Sequence, residues 1–177
     1  AFEAHQKGLW FERRLGWLAS SIMAILQPLS QSNHEPCMKI LVAVDGSPFT
    51  LRMVEYLAAH AVWLSPEHAY TVITVATRLL PRAASAISKA TLDEYYRDES
   101  EGVLKPLRPV FEGHGLKPVY LPKVGLPAQE IANTATQGGF DLVVMGSHGY
   151  SAVGNVVLGS VATQVLAQCK VPVLLVR

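Results

Sequence analysis

The chain has 177 residues, of which 50% are hydrophobic and 16% charged, with a formal net charge of +1 at pH 7. That length suffices for one domain with a sizeable core, and the composition excludes a disordered chain. No run of Lys or Arg stands out, which argues against the basic stripe of a nucleic-acid-binding surface.

The first 37 residues differ from the rest. Phe11, Leu15, Leu18, Ile22, Ile25 and Leu29 recur at alternating spacings of four and three, the seam of an amphipathic helix. Pro28 and the polar stretch Ser30 to Pro36 end it and make a linker. Arg13-Arg14 ahead of an apolar stretch raises a signal peptide as the alternative, but no small-residue cleavage site follows. The apolar stretch is also shorter than the ~18 residues of a membrane span, and Gln27 and Pro28 interrupt it. A third reading makes the segment upstream sequence, with Met38 as the natural start. The expected division is an N-terminal extension over 1–37, packing loosely on the domain or a partner, and one domain over 38–177.

From Lys39 strands and helices alternate. Ile40 to Val44 is a continuous β-rich run, as in a strand buried on both faces. Asp45-Gly46-Ser47-Pro48 is a turn with a helix start in it, Ser47 suited to the cap and Pro48 to the first helical position. Leu51, Val54, Tyr56, Leu57, Ala58 and Ala61 carry that helix to about Trp63-Leu64, where Ser65-Pro66 breaks it. Tyr70 to Ala76 is a second strand, and residues 78–90 a loop. A helix is predicted from Ser88–Thr91 toward Glu112, kinked or interrupted by Pro106 and Pro109. Lys117 to Leu121 is the third strand. Gly125-Leu126-Pro127 is a turn, and Ala128 to Thr136 a short helix closed by Gly138-Gly139. Phe140 to Met145 is the fourth strand and Val171 to Val176 the fifth. This alternation predicts an α/β fold with an open parallel sheet and helices on both faces.

The cysteines, Cys37 and Cys169, have neither metal-ligand spacing nor a third partner. Cys169 reads as a buried reduced thiol on the apolar side of a helix, which fits a cytoplasmic location.

The most informative stretch follows the fourth strand. Gly146-Ser147-His148-Gly149 is followed by nine residues and then Gly159-Ser160, which opens a helical run to Cys169. Glycines let backbone approach an anion with no Cβ in the way, and a helix start offers unpaired N–H groups with partial positive charge. The stretch reads as a cradle for a nucleotide triphosphate. Ligands of such sheets sit beyond the carboxyl ends of the strands, where strand order reverses. Asp45 and Gly146–Gly149 both follow carboxyl ends. If the first and fourth strands are neighbours, the two turns face one crevice. Singly these residues have plainer readings: Asp45 a helix cap, Gly146 and Gly149 turn glycines, Val75 core, and Ser147 and His148 exposed turn residues, with His148 able to touch a phosphate.

Met38 to Arg177 resembles a universal stress protein domain of the UspA type. The ATP-binding members carry Gly-x2-Gly-x9-Gly-Ser/Thr, and Gly146, Gly149, Gly159 and Ser160 meet that spacing with no insertion. Lys39 to Ser47, Gly125-Leu126-Pro127 and Pro172 to Arg177 match in the same order. The resemblance implies a Rossmann-like five-stranded sheet of order 3-2-1-4-5. It implies that Asp45 faces the adenosine and Val75 hydrogen-bonds the adenine through its backbone. It places Gly146 against ribose and phosphates, with Gly149, Gly159, Ser160 and Val161 around the triphosphate. Mg²⁺ or Mn²⁺ would be held mainly by phosphate oxygens. It also implies a homodimer paired through the fifth strand, Val171–Val176.

There is no Gly-Lys-Ser or Gly-Lys-Thr loop and no residue that visibly orients a water or steadies a leaving group. The expected function is therefore an ATP-binding module in stress response or signalling, acting through occupancy and dimerisation. The alternatives are a slow ATPase or nucleotide-transfer enzyme on the same site, and a domain that has lost ATP and acts through protein contacts. On this reading a Gly159→Val side chain would fill the phosphate space and leave the fold intact.

Overall fold

The computed structural model describes residues 37–60, 65–150 and 157–177. The expected N-terminal amphipathic helix, the end of the first helix at Trp63-Leu64, and residues 151–156 lie outside the described residues. Five parallel strands, β1 (Lys39–Ala43), β2 (Ala69–Thr77), β3 (Val119–Gly125), β4 (Leu142–Gly146) and β5 (Val173–Val176), form one sheet of order β3-β2-β1-β4-β5. The helices are α1 (Pro48–Ala59), α2 (Pro81–Ala84), α3 (Lys89–Leu104), α4 (Arg108–Gly113), α5 (Pro127–Gln137) and α6 (Ser160–Gln168).

Side-chain alternation along β1 divides the core. Ile40, Val42 and Val44 point to one face, where Met53, Val54 and Leu57 of α1, Leu104 of α3 and Phe111 of α4 cover them. Leu41 and Ala43 point to the other, beneath Ala128, Ile131 and Ala135 of α5 and Ala162 and Val165 of α6. Both faces of the central strands are dry, hence the unbroken apolar runs.

Several boundaries differ from expectation. Strand β3 starts later than Lys117 and continues to Gly125, through Pro122. It is an edge strand, so the N–H that Pro122 lacks does not have to serve two neighbours. The loop after β2 contains the single turn α2, and the long helix toward Glu112 is two helices. Pro106 falls in the break between them, and Pro109 sits in the first turn of α4, where a missing N–H is tolerated. Leu51 and Tyr56 of α1 are exposed rather than inward. Cys169 caps the end of α6 and is half-buried, and Cys37 is exposed. As predicted, Ser47 caps α1: its hydroxyl accepts from the Thr50 N–H at 3.4 Å, with Pro48 in the first turn.

At the amino end of β2, Tyr70 donates its hydroxyl proton to the Ser65 carbonyl at 2.9 Å. Burial raises its pKa from 10.0 to about 12. A phenol held protonated by the fold stabilises it fully below the unfolded pKa. That contribution is lost as pH rises from 10 toward 12, because the unfolded chain gives up the proton first. Urea unfolding at about pH 9 and about pH 11 should therefore show a stability loss on the order of 1 kcal/mol that Tyr70→Phe reduces. An equal loss in the variant would assign the alkaline sensitivity elsewhere.

Candidate functional site

Strand order reverses between β1 and β4, which pair in parallel with Ala43 opposite Met145. The turns that leave their carboxyl ends therefore stand side by side, as the sequence required of a shared crevice.

The β1 turn is held from within. Asp45 Oδ1 accepts from the Ser47 N–H at 2.9 Å and from the Thr50 hydroxyl at 2.7 Å, while the Asp45 N–H donates to Thr50 Oγ1 at 3.1 Å. With Oδ1 doubly engaged, the other oxygen, Oδ2, is turned toward Gly149: a Cβ at that glycine would stand 2.5 Å from it.

The β4 turn is held just as firmly. The Ser147 N–H donates to the Val176 carbonyl at 2.7 Å, continuing the β4–β5 ladder, and the Gly159 N–H donates to the Ser147 carbonyl at 2.9 Å. Ser147 Oγ and His148 Nδ1 hydrogen-bond at 3.0 Å, and the His148 ring packs on Phe49 of α1 with centroids 5.0 Å apart. Ser147 is 4% exposed and His148 9%. The expectation of two solvent-exposed turn residues is corrected: they point inward and brace the turn.

The glycines also differ from the simplest expectation. A Cβ at Gly159 would lie 3.1 Å from His148 Cα and 3.4 Å from the Ser147 carbonyl oxygen, and one at Gly146 would lie 3.1 Å from both His148 O and Phe49 Cβ. The space beside Gly159 is therefore occupied by the chain's own turn, so Gly159→Val would first displace that turn rather than fill a ligand cavity. The glycines let the β4 turn, the start of α6 and the β1 turn close on one another.

What this packing leaves available is main chain. Gly159 is the N-cap of α6 and has no side chain to cap it, so the first-turn N–H groups, including those of Ser160 and Val161, receive no acceptor from the cap residue. Ser160 is exposed and Val161 half-buried. Val75 completes the constellation from β2. The register that pairs Ala43 with Ile73 brings Val75 level with Asp45, past the end of β1. The Ile73 carbonyl accepts from the Val44 N–H, so by two-residue alternation the peptide groups of Val75 face the same side, where β1 has ended. Asp45, Val75, Gly146, Ser147, His148, Gly149, Gly159, Ser160 and Val161 thus gather around one end of the sheet. Tyr150, which the sequence reading passed over, belongs with them: its hydroxyl donates to the Gly46 carbonyl at 2.8 Å, joining the two turns.

No lysine or arginine occurs between Gly146 and Val161, so that stretch can meet an anion only through N–H groups, hydroxyls and His148. Among the described residues no group of three His, Cys, Asp or Glu side chains is placed to hold a metal ion, and no helix is long and apolar enough to cross a membrane.

A doubly wound sheet with a glycine-led helix start and an acidic turn at its reversal point defines a Rossmann-like α/β protein with an anion-compatible carboxyl end. The universal stress protein family model matches residues 37–177, and the chain belongs to that family. It is 28% identical over 156 residues to universal stress protein MJ0531 of Methanocaldococcus jannaschii, covering 86% of this chain and 89% of that one. It is 32% identical over 150 residues to universal stress protein YxiE of Bacillus subtilis, covering 78% and 98%. Among solved structures, that of hypothetical protein MJ0577 superposes with a TM-score of 0.65 at 24% identity, over 78% of this chain and 94% of that one. Two more distant family structures carry ligands. One universal stress protein is in complex with cAMP (TM-score 0.58, 23% identity, 79% and 97% covered), and one from Arabidopsis thaliana has AMP bound (TM-score 0.56, 15% identity, 78% and 90% covered).

Proposed function

We propose that this protein is an adenine-nucleotide-binding module whose occupancy, rather than catalysis, is its output in stress response or signalling. The observation that carries this reading is the start of α6: a helix N-terminus led by Gly159 and left without a side-chain cap, packed against the Gly146–Gly149 turn and facing Asp45. Partial positive charge and unpaired N–H groups at such a point favour a phosphate. Gly149, Gly159, Ser160 and Val161 would hold the phosphates, with Gly146 against the ribose. Asp45 Oδ2 would meet a ribose hydroxyl, and the main chain of Val75 the base. Ser147 and His148 act from behind by fixing the turn. Complexes of family members with AMP and cAMP support the adenine nucleotide class. ATP is the proposed ligand, with Mg²⁺ or Mn²⁺ carried by the phosphate oxygens, because the motif spacing is that of the ATP-binding members.

Among the described residues, side chains suited to hydrolysis do not converge on the cradle. The Gly146–Gly149 turn and the start of α6 carry no Lys or Arg to steady a leaving charge, and His148 hydrogen-bonds Ser147 and packs on Phe49. The test is direct. Protein purified without added nucleotide is acid-treated and the released material weighed, and stripped protein is titrated calorimetrically with ATP and AMP, each with magnesium. Release of, or saturable binding by, an adenine nucleotide is expected. No bound nucleotide and no heat at millimolar concentration would end the proposal. Phosphate release followed over hours in the ATP-loaded protein decides between occupancy and slow turnover.

A further inference from the structure

The two turns of the site are each tied down internally, and a side-chain hydrogen bond runs between them. It joins Tyr150, the residue after Gly149, to the carbonyl of Gly46, the residue after Asp45, across 104 positions of sequence. The contact is fitted on both sides. Gly46 has φ +79°, a left-handed backbone that favours glycine, and a Cβ there would stand 3.3 Å from both the Tyr150 hydroxyl and Cγ2 of Val103 on α3. A side chain there would crowd the phenol where it reaches the carbonyl. The Tyr150 ring itself remains 75% exposed.

We propose that Tyr150 is a gate residue of the nucleotide site: its hydroxyl holds the β4 turn against the β1 turn in the free protein, and an entering nucleotide must break that bond. The inference rests on the nucleotide-binding reading above and adds how access to the site is regulated. Three observations carry it. The bond crosses directly beside Asp45 and Gly149, the pair that a ribose and phosphate would have to approach. The internal ties of both turns are partly or fully buried, with charged Asp45 accepting in one and sheet ladder continuing through the other, so they persist when a ligand arrives. The bond from Tyr150 is neutral and water-exposed, the kind that contributes least to stability and opens first. Opening costs no core packing, because the ring already lies on the surface.

Tyr150→Phe removes the hydroxyl and keeps the ring; Tyr150→Ala removes both. Two readouts separate the tie from the ligand it controls. First, in free protein, amide hydrogen exchange at Ser47 and at positions 149–150 should rise in Tyr150→Phe while the melting temperature is unchanged. Second, stopped-flow mixing with ATP and magnesium should show association several-fold faster in both variants, and affinity raised by up to about tenfold, the scale of one exposed neutral hydrogen bond. Unchanged exchange in Tyr150→Phe overturns the tie whatever the ligand. Raised exchange with unchanged or weakened ATP affinity overturns the gate. Raised exchange with no nucleotide binding in any of the three proteins rejects the nucleotide reading, and the gate for that ligand with it.

Discussion

Gly149→Val is expected to lower adenine-nucleotide affinity at least about a hundredfold while leaving the sheet folded. The added Cβ would stand 2.5 Å from Asp45 Oδ2, and a β-branched side chain carries two further carbons beyond it. Asp45 cannot simply swing aside, because its other oxygen holds the Ser47 N–H and the Thr50 hydroxyl. The two turns must part instead, which moves the carboxylate and the α6 start out of common reach. The strands below do not have to follow: the β1–β4 pairing ends at Ala43 and Met145, before either turn begins. Calorimetric titration with ATP and AMP, alongside far-ultraviolet circular dichroism, checks both halves. Gly102→Ala is the matched control, since a Cβ there meets nothing within 4 Å. In the interior of α3 that change should add about 0.5–1 kcal/mol of stability and leave binding alone. Wild-type affinity in Gly149→Val would mean that ligand and cradle have been wrongly matched.

The second large effect concerns assembly. If two copies pair through β5, as the family resemblance implies, the parent should sediment as a dimer and a protein with Val173→Lys and Leu175→Lys together as a monomer. Among the described residues, strand β5 has a neighbour on one side only, β4. The carbonyls of Pro172 and Val176 accept from Val143 and Ser147, so by alternation the peptide groups of Val173 and Leu175 face away from β4, toward the sheet edge. An exposed apolar edge of this kind is a template for a second copy. The side chains of Val173 and Leu175 also pack partly against the α5–α6 layer, so a thermal melt must accompany sedimentation. A folded variant that still sediments as a full dimer would move the interface elsewhere.

The fold was legible from the chain to the extent that burial has a period. Ile40 to Val44 and Leu142 to Met145 read as two-sided strands because each has a dry layer above and below. Ser47 and Pro48 announced the start of α1 by their chemistry alone. Boundaries set by tertiary context were less visible: Pro122 argues locally against a strand, and only its place at the sheet edge lets β3 run through it. The candidate site was legible as a spacing of glycines, but not what each glycine faces. Gly159 and Gly146 look like room for a ligand until the Ser147–His148 backbone and Phe49 are seen to fill that room. The polarity of Ser147 and His148 suggested solvent, and the hydrogen bond between them is what makes their burial tolerable. Tyr150 carried no local signal at all, because its partner lies 104 residues away.

The central position of β1 sets a timetable for biosynthesis. Lys39 and Asp141, which exchange hydrogen bonds at the start of the β1–β4 pairing, are 102 residues apart. At ribosomal elongation of roughly 5–20 residues per second, one side of β1 waits on the order of 5–20 seconds for its neighbour to emerge. During that interval Ile40 to Val44 presents one open strand edge of apolar residues, a site at which a nascent chain can pair wrongly. Chaperone capture should therefore concentrate on chains halted before Leu142, and fall away once β4 has left the exit tunnel.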